Sequence, residues 1–96
     1  MAAVWKYPLN ITDTQEVWMP PGAKALTVQV QQGVPCLWAL VDDVARHEDF
    51  VPRRVHVHGT GHLVEDGFGL DYISSFQTQI LGAGVLVFHV FIAPEA

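Results

Sequence analysis

The sequence predicts an all-β fold, a small single-domain antiparallel β-sandwich or flattened barrel of about seven strands that spans residues 1–96. Short apolar runs rich in β-branched and aromatic residues recur along the chain, and residues typical of turns separate them. Apolar residues make up 50% of the composition, well above the level of disordered chains. A chain of this length and composition forms one domain with a core of its own.

The strand predictions rest on hydrophobic periodicity. In residues 25–31, apolar and polar side chains alternate, which is typical of a half-buried strand. The runs 36–42 and 84–92 are apolar on both faces, which predicts that another subunit covers part of them in a homo-oligomer. The predicted strands are 3–9, 14–19, 25–31, 36–42, 53–58, 62–64, 72–79 and 84–92. The predicted core includes Leu26, Val28, Val30, Leu37, Val55, Val57, Val87 and Phe88.

Turn residues mark the connections between these runs. Pro20-Pro21-Gly22-Ala23 suits a type II turn, because its second position favours proline and its third requires a positive φ. A turn is predicted at 32–35 and a flexible one at 82–84. The polar stretch 43–52 is expected to form a loop or one short helical turn.

The charge balance restricts the classes of partner. Five Lys and Arg stand against ten Asp and Glu, for a net charge of −5. Proteins that grip nucleic acid through its phosphates need a basic stripe, and none is present. Direct nucleic-acid binding is therefore not expected. Charged residues are only 16% of the chain, which also favours a surface partly covered by a partner.

The cysteine content and the apolar runs bear on the compartment. The single cysteine, Cys36, lies in an apolar run and cannot form a disulfide within the chain, which predicts a reducing environment. The first residues show no pattern of a signal peptide. No apolar run approaches the ~20 residues of a membrane helix. We therefore expect a cytoplasmic protein that does not bind membranes.

The densest polar cluster lies at residues 53–62. On a strand, Arg54, His56 and His58 project from one face, and a glycine-rich turn follows. Three interpretations stay open: a metal site, an anion site and an ordinary polar strand face. The predicted ligand-binding residues are Arg54, His56, His58, Gly59, Thr60, Gly61 and His62.

The metal interpretation rests on the H-X-H-X3-H spacing of His56, His58 and His62. It resembles the first metal motif of cupins, in which a glutamate usually takes the last position, but their second motif is absent. The anion interpretation rests on the Gly59–Gly61 turn, whose N–H groups can face a phosphate while Arg54 adds positive charge. We assign no metal, no cofactor and no catalytic residue.

Other polar residues give weaker signals for catalysis. Ser74 and Ser75 fall in mid-strand without a nucleophile elbow. A His62–Glu65 pair is compatible with acid–base chemistry. His89, on the strand face shared by Val87 and Phe91, is expected to be a hydrogen-bonded core residue and not a ligand. Trp5, Trp18 and Trp38 are expected in the core. A tryptophan exposed on a sheet face would instead suit stacking on a base or sugar, or an interface anchor.

Several segments together resemble a family of short proteins of unknown function that tailed phages and prophage-bearing bacteria encode. The most specific are the Gly-Val-Pro-Cys-Leu-Trp-Ala-Leu-Val run at 33–41 and the Gly-Thr-Gly-His turn at 59–62, and the pattern also includes the Phe-His-Val-Phe run at 88–91. The likeness covers nearly the whole chain. The family pattern does not require the pair His56 and His58, which weakens the metal interpretation. The family has no established activity, so the resemblance implies a phage or prophage origin more than a biochemical mechanism.

These observations predict a non-enzymatic phage accessory protein that acts in the host cytoplasm by stoichiometric binding. Two mechanisms of counter-defence remain open: sequestration of a nucleotide-type signal, and inhibition of a host defence protein in the manner of anti-CRISPR proteins. The alternatives are a β-sandwich protein of the virion or tail and a cupin-like metal enzyme.

Overall fold

Two antiparallel β-sheets packed against each other form the protein, as the computed structural model of residues 1–96 shows. The seven strands confirm the predicted all-β sandwich, and the sheets do not close into a barrel. The strands are β1 (Ala2–Pro8), β2 (Gln15–Met19), β3 (Lys24–Gln31), β4 (Val34–Asp42), β5 (Val51–Gly59), β6 (Asp71–Ile80) and β7 (Gly84–Ile92). Single 3-10 turns at His47–Asp49 and Gly67–Gly69 are the only helical segments.

The first sheet has the order β1-β4-β3 and the second the order β2-β5-β7-β6. Strand β3 borders β6 without a ladder of backbone hydrogen bonds between them. The Ser74 hydroxyl bridges this gap, since it accepts from the Val28 N–H at 2.9 Å and donates to the Val28 carbonyl at 3.3 Å. A side chain thus satisfies both backbone groups of Val28 where the two sheets meet.

The core lies between the two sheets and is built by alternation along each strand. Leu37, Ala39 and Val41 of β4 point inward, and Val55 and Val57 of β5 face them from the other sheet, as predicted for those two valines. The twelve buried residues of this core are Leu9, Met19, Ala23, Val28, Leu37, Ala39, Val41, Val55, Val57, Phe76, Val90 and Ile92. Phe88 packs against its margin and stacks on Phe76 with ring centroids 5.5 Å apart.

Three core predictions were wrong. Strand β3 carries a bulge between Ala25 and Thr27, so Leu26 leaves the alternation and is 44% exposed. Val30 lies near the end of its strand and is 38% exposed. Val87 is only half-buried and lies outside the core, because β7 directs its odd-numbered residues away from it.

The turns follow the predicted chemistry at two positions. Gly22 has φ +78°, and the Ala23 N–H donates to the Pro20 carbonyl at 3.2 Å, as in a type II turn. This turn carries the chain from the second sheet into the first. The turn predicted at 32–35 is shorter, because Gln32 and Gly33 both have positive φ and close a two-residue hairpin.

The strand predicted at 62–64 was wrong. Gly61 has φ +88° and Asp66 has φ +55°, values that break an extended conformation. Leu63 is 95% exposed, so no core contact holds this segment against a sheet. Residues 60–70 instead form one loop between β5 and β6.

The buried side chain of Arg53 holds the residues after β7 in place through hydrogen bonds. The Arg53 guanidinium donates to the Ala23 carbonyl at 3.0 Å and to the Ala93 carbonyl at 3.3 Å. Glu95 lies 3.9 Å from Arg53 and accepts from the Gly22 N–H at 2.8 Å. These contacts join the start of β3, β5 and the residues after β7. None of the helical segments is long and apolar enough to cross a membrane.

Candidate functional site

The outer face of the four-stranded sheet carries most of the predicted site. Side chains that alternate with the core positions of β2, β5 and β7 project from it, because successive residues of a strand point to opposite faces. Imidazole and aromatic rings cluster at its centre, where Phe91 meets Tyr72 at 5.1 Å and His58 at 6.4 Å between ring centroids. The face includes Glu16, Trp18, Arg54, His56, His58, Tyr72, His89 and Phe91.

A polar cleft of about 610 Å³ opens on this face. Arg54 and His56 of β5 line it, and we call it the Arg54 cleft; its lining is Thr14, Gln15, Glu16, Arg54, His56, Glu65, Asp66, Leu70 and Ala93. Glu16 lies directly opposite Arg54 on β2, while the 60–70 loop supplies Glu65 and Asp66. No carboxylate oxygen comes within 4.0 Å of the Arg54 guanidinium.

The two strand histidines are close to each other, with parallel-stacked rings 6.0 Å apart. Burial lowers the pKa of His56 below its usual range, and the charges of His58 and Arg54 lower this pKa further. His58 is only 8% exposed, and its Nε2 has no hydrogen-bond partner. Its Nδ1 lies 4.0 Å from the carboxylate of Asp13, an exposed residue in the loop before β2.

Both nitrogens of His89 are engaged within the protein. Nε2 lies 2.7 Å from the Thr60 hydroxyl and Nδ1 lies 2.8 Å from the Tyr72 hydroxyl. The Thr60 hydroxyl also lies 3.4 Å from the Val87 carbonyl. In a neutral imidazole one ring nitrogen donates and the other accepts, so both contacts of His89 can be hydrogen bonds in either tautomer. His89 is thus hydrogen-bonded within the protein as expected, but it lies on the outer face of the sheet and not in the core.

The glycine-rich turn lies apart from the Arg54 cleft. Gly59, Thr60 and His62 line a second groove of about 380 Å³, together with Val85, Leu86, Val87 and Phe88. The Thr60 N–H donates to the Val87 carbonyl at 3.2 Å and the His62 N–H to the Gly59 carbonyl at 3.1 Å. Neither N–H group is free to face a phosphate. Of the seven predicted residues, Arg54 and His56 thus line the Arg54 cleft, and Gly59, Thr60 and His62 line the second groove. His58 is buried on the sheet face, and Gly61 lines neither cavity.

The geometry does not assemble the metal site that the histidine spacing indicated. No three His, Cys, Asp or Glu side chains come together in a way that holds a metal ion. His56 and His58 share the strand face, whereas the His62 ring packs over Gly59, where an added Cβ would lie 3.3 Å from it. The positive φ of Gly61 turns the chain away before His62. The His62 ring therefore does not join those of His56 and His58, contrary to what their spacing in the sequence suggested.

The other groups considered for catalysis are separated or engaged elsewhere. The Ser74 hydroxyl is used by the Val28 backbone, and Cys36 is buried with its thiol 3.5 Å from the Val34 carbonyl. His62 lines the second groove, while Glu65 lines the Arg54 cleft. The two do not form the acid–base pair that their sequence separation allows.

Comparison with known families gives one match. It is the family described as "Domain of unknown function (DUF7352)", and the match covers residues 1–96. The chain belongs to this family. No curated protein and no solved structure matches the chain. The predicted membership in a family of unknown function is therefore confirmed.

The core position expected for Trp18 was wrong, and the contribution of Glu65 and Asp66 to the site was not predicted from the sequence. Trp18 is 57% exposed on the outer face of β2, diagonally across from Arg54 in the β2–β5 register. Trp18 lies two residues after the exposed Glu16 and alternates with Val17 and Met19, and this strand alternation is the sequence signal for its outward position. Glu65 and Asp66 reach the cleft only through the fold of the 60–70 loop, which has no sequence signature.

Proposed function

We propose that this chain is a non-enzymatic phage accessory protein that acts in the host cytoplasm by stoichiometric binding, and that it blocks a host defence protein. The contact surface in this proposal is the outer face of β2 and β5 around the Arg54 cleft. We call it the Trp18–Arg54 surface, and it consists of Glu16, Trp18, Pro52, Arg54 and His56. The origin rests on the phage-family resemblance, and the mechanism rests on the residues of this surface.

The exposed pair Trp18 and Arg54 is the observation that carries the proposal. Glu16 pairs with Arg54 and Trp18 pairs with Pro52, so Trp18 and Arg54 are diagonal neighbours within reach of one another. Tryptophan and arginine are the residue types most enriched among the hot spots of protein interfaces. A free indole next to a guanidinium without an ion-pair partner suits the centre of a protein–protein contact.

The charges around this pair define the chemistry of the partner. One guanidinium faces three carboxylates, those of Glu16, Glu65 and Asp66. A complementary surface therefore presents one acidic group for Arg54 and several basic side chains around it. Mixed charge of this kind is ordinary for a protein surface, whereas a phosphate group meets repulsion from the three carboxylates.

Sequestration of a nucleotide-type signal is the second candidate function. The volume of the Arg54 cleft, about 610 Å³, lies within the range of small-molecule sites. Arg54 would hold a phosphate in this case, and a carboxylate would accept from ribose hydroxyls. The carboxylates make this candidate the weaker one, because the cleft carries more negative than positive charge.

The experiment uses the intact protein and two alanine variants. Purified protein is incubated with extracts of infected, defence-active cells, repurified and analysed by mass spectrometry for bound proteins and released nucleotides. We expect one host protein in stoichiometric amount, and calorimetry with that protein should show binding weakened about 30-fold or more by Trp18→Ala and by Arg54→Ala. Val44→Ala is the matched control, since Val44 is also exposed but lies beyond β4.

Each other outcome contradicts the proposal in a distinct way. A released nucleotide whose capture Arg54→Ala abolishes supports the second candidate instead, whatever the effect of Trp18→Ala. Recovery of virion proteins alone supports a structural role in the particle or tail. A host protein that binds all variants equally shows that the Trp18–Arg54 surface is not the contact.

A further inference from the structure

The hairpin of β6 and β7 ends in an arm that projects from the body of the sandwich. We define the hairpin arm as residues 77–87, which include the β-turn between the two strands. The segment 72–93 contains no Asp, Glu, Lys or Arg at all. Within the arm Leu81 is fully exposed, Val85 is 61% exposed and Leu86 is 36% exposed. The arm is therefore an uncharged and largely apolar surface on a protein of net charge −5.

The edge of β6 also lacks the devices that keep sheet edges from pairing. Natural edge strands carry charged residues or proline, or stay short. Strand β1 has Lys6 and Pro8, and β2 is only five residues long and carries Glu16. Strand β6 is ten residues long, and β3 is tied to it through Ser74, near its start. Beyond that point its edge has neither charge nor proline.

The exposed area of the single chain is large for its mass. The chain exposes 6221 Å², whereas a compact monomer of the same mass exposes about 5,500 Å². The difference, roughly 700 Å², is close to the ~800 Å² that each partner contributes to a stable protein interface. A second chain that covers the arm accounts for surface of this size.

We infer that the hairpin arm is a self-association surface, on which a second copy of this chain pairs β6 with β6 about a two-fold axis. A two-fold contact needs a patch that is complementary to itself, and an apolar strand edge meets this requirement. Two copies of net charge −5 repel each other elsewhere, so the uncharged arm is where they can approach. This inference is independent of the proposed function, because it uses none of the residues of the Trp18–Arg54 surface.

Two-fold pairing of the β6 strands would join the two four-stranded sheets into one continuous sheet of eight strands. It would bring Gln79 and the adjoining Leu81 next to the partner's β6 and give hydrogen-bond partners to the free backbone groups of the edge. An isolated two-stranded hairpin is marginal in water, and pairing with a second hairpin removes this weakness.

Sedimentation velocity between about 1 and 500 μM tests the inference directly. We expect the wild-type protein to be dimeric, and Gln79→Lys and Leu81→Lys to weaken the dimer at least 100-fold, because they place like charges on the two β6 edges that pair. Leu63→Lys is the matched control, because Leu63 is equally exposed but lies in the 60–70 loop. Circular dichroism establishes that each variant keeps its strand content.

Hydrogen exchange supplies a second measurement that needs no variant. Amides of 77–81 should exchange more slowly at high protein concentration than at low concentration, while those of β2 should not change. A wild-type monomer over the whole range overturns the inference. So does a dimer that Gln79→Lys and Leu81→Lys leave intact, since another surface then holds the two copies. Binding to lipid vesicles by a monomeric wild type would assign the arm to a membrane surface instead.

Discussion

Arg53 is the one cation buried in the protein, and its removal tests how the end of the chain is held. Its side chain is 7% exposed and makes two hydrogen bonds to the carbonyls of Ala23 and Ala93. Each hydrogen bond from a charged group contributes about 1.5–3 kcal/mol. The buried Nε of Arg53 has no hydrogen-bond partner, and its desolvation offsets part of this stabilisation. The Glu95 carboxylate is one-third exposed, so its ion pair with Arg53 adds little to the free energy of unfolding.

We therefore expect Arg53→Ala to lower the free energy of unfolding by about 2–3 kcal/mol. For a domain of 96 residues this corresponds to a decrease in Tm of roughly 10–15 °C. Urea and thermal unfolding followed by circular dichroism, at one fixed protein concentration, measure both quantities. Arg53→Met keeps most of the side-chain volume without the charge and should cost about half as much, because apolar replacement of a buried cation is partly compensated.

Glu95→Gln is the control, since its side-chain oxygen can still accept from the Gly22 N–H. A loss below about 0.5 kcal/mol is expected for it. If Arg53→Ala and Glu95→Gln prove equally mild, the residues after β7 are not held by the buried cation, and the argument from its two hydrogen bonds is refuted.

Three further predictions concern polar groups in the same fold. Tyr7→Phe should stabilise the protein by up to about 1 kcal/mol in urea unfolding, because the Tyr7 hydroxyl is buried without a partner, which also raises its pKa; a clear loss would reveal a partner. Ser74→Ala should lower the free energy of unfolding by about 1–2 kcal/mol, because it leaves the Val28 N–H and carbonyl without their hydrogen-bond partner, whereas substitution of the exposed Ser75 by alanine should have no such effect. The pKa of His56 should lie below 6.5 in an NMR titration, and this pKa should rise in Arg54→Gln. Because the pKa is lower in the folded state than in the unfolded state, the free energy of unfolding should fall as the pH drops from about 6.5 toward the folded pKa. A free energy of unfolding that is constant over that window, or an unshifted His56 pKa, contradicts this.

Much of the fold could be predicted because strand periodicity is a local property. The inward positions of β5 follow directly from the alternation of Val55 and Val57 with polar neighbours. The failures come from single-residue irregularities. The bulge at Leu26 shifts the phase of β3, and no residue in that stretch marks it. The positive φ of Gly61 ends the extended chain before the apolar residues that suggested a strand at 62–64.

The candidate site was less predictable, because it depends on which strands become neighbours. Arg54 and His56 were assigned to one strand face correctly, but their cleft exists only because β2 pairs with β5 and the 60–70 loop returns over them. The glycine-rich turn was grouped with them by sequence proximity alone. The Thr60 N–H donates to Val87 of β7 and the His62 N–H donates to Gly59, contacts that only the tertiary structure specifies.

The two proposed surfaces lie at opposite ends of β7, and this placement leads to a final prediction. Ala93, just after β7, lines the Arg54 cleft, whereas Val85 and Leu86 at its start belong to the hairpin arm. A nine-residue strand separates them by roughly 30 Å, so a dimer formed through the arms leaves both clefts open. Such a dimer is bivalent, and against a partner that is itself oligomeric the second contact becomes intramolecular.

The monomeric variant Leu81→Lys should therefore bind an isolated partner subunit as well as the wild type does. Against the same partner immobilised at high density, it should dissociate at least ten times faster, because the second contact is lost. Surface plasmon resonance at low and high partner density separates the two cases, with Leu63→Lys as the control. Equal dissociation at high density would mean that the two clefts of the dimer do not act together, even if each surface has the role proposed for it.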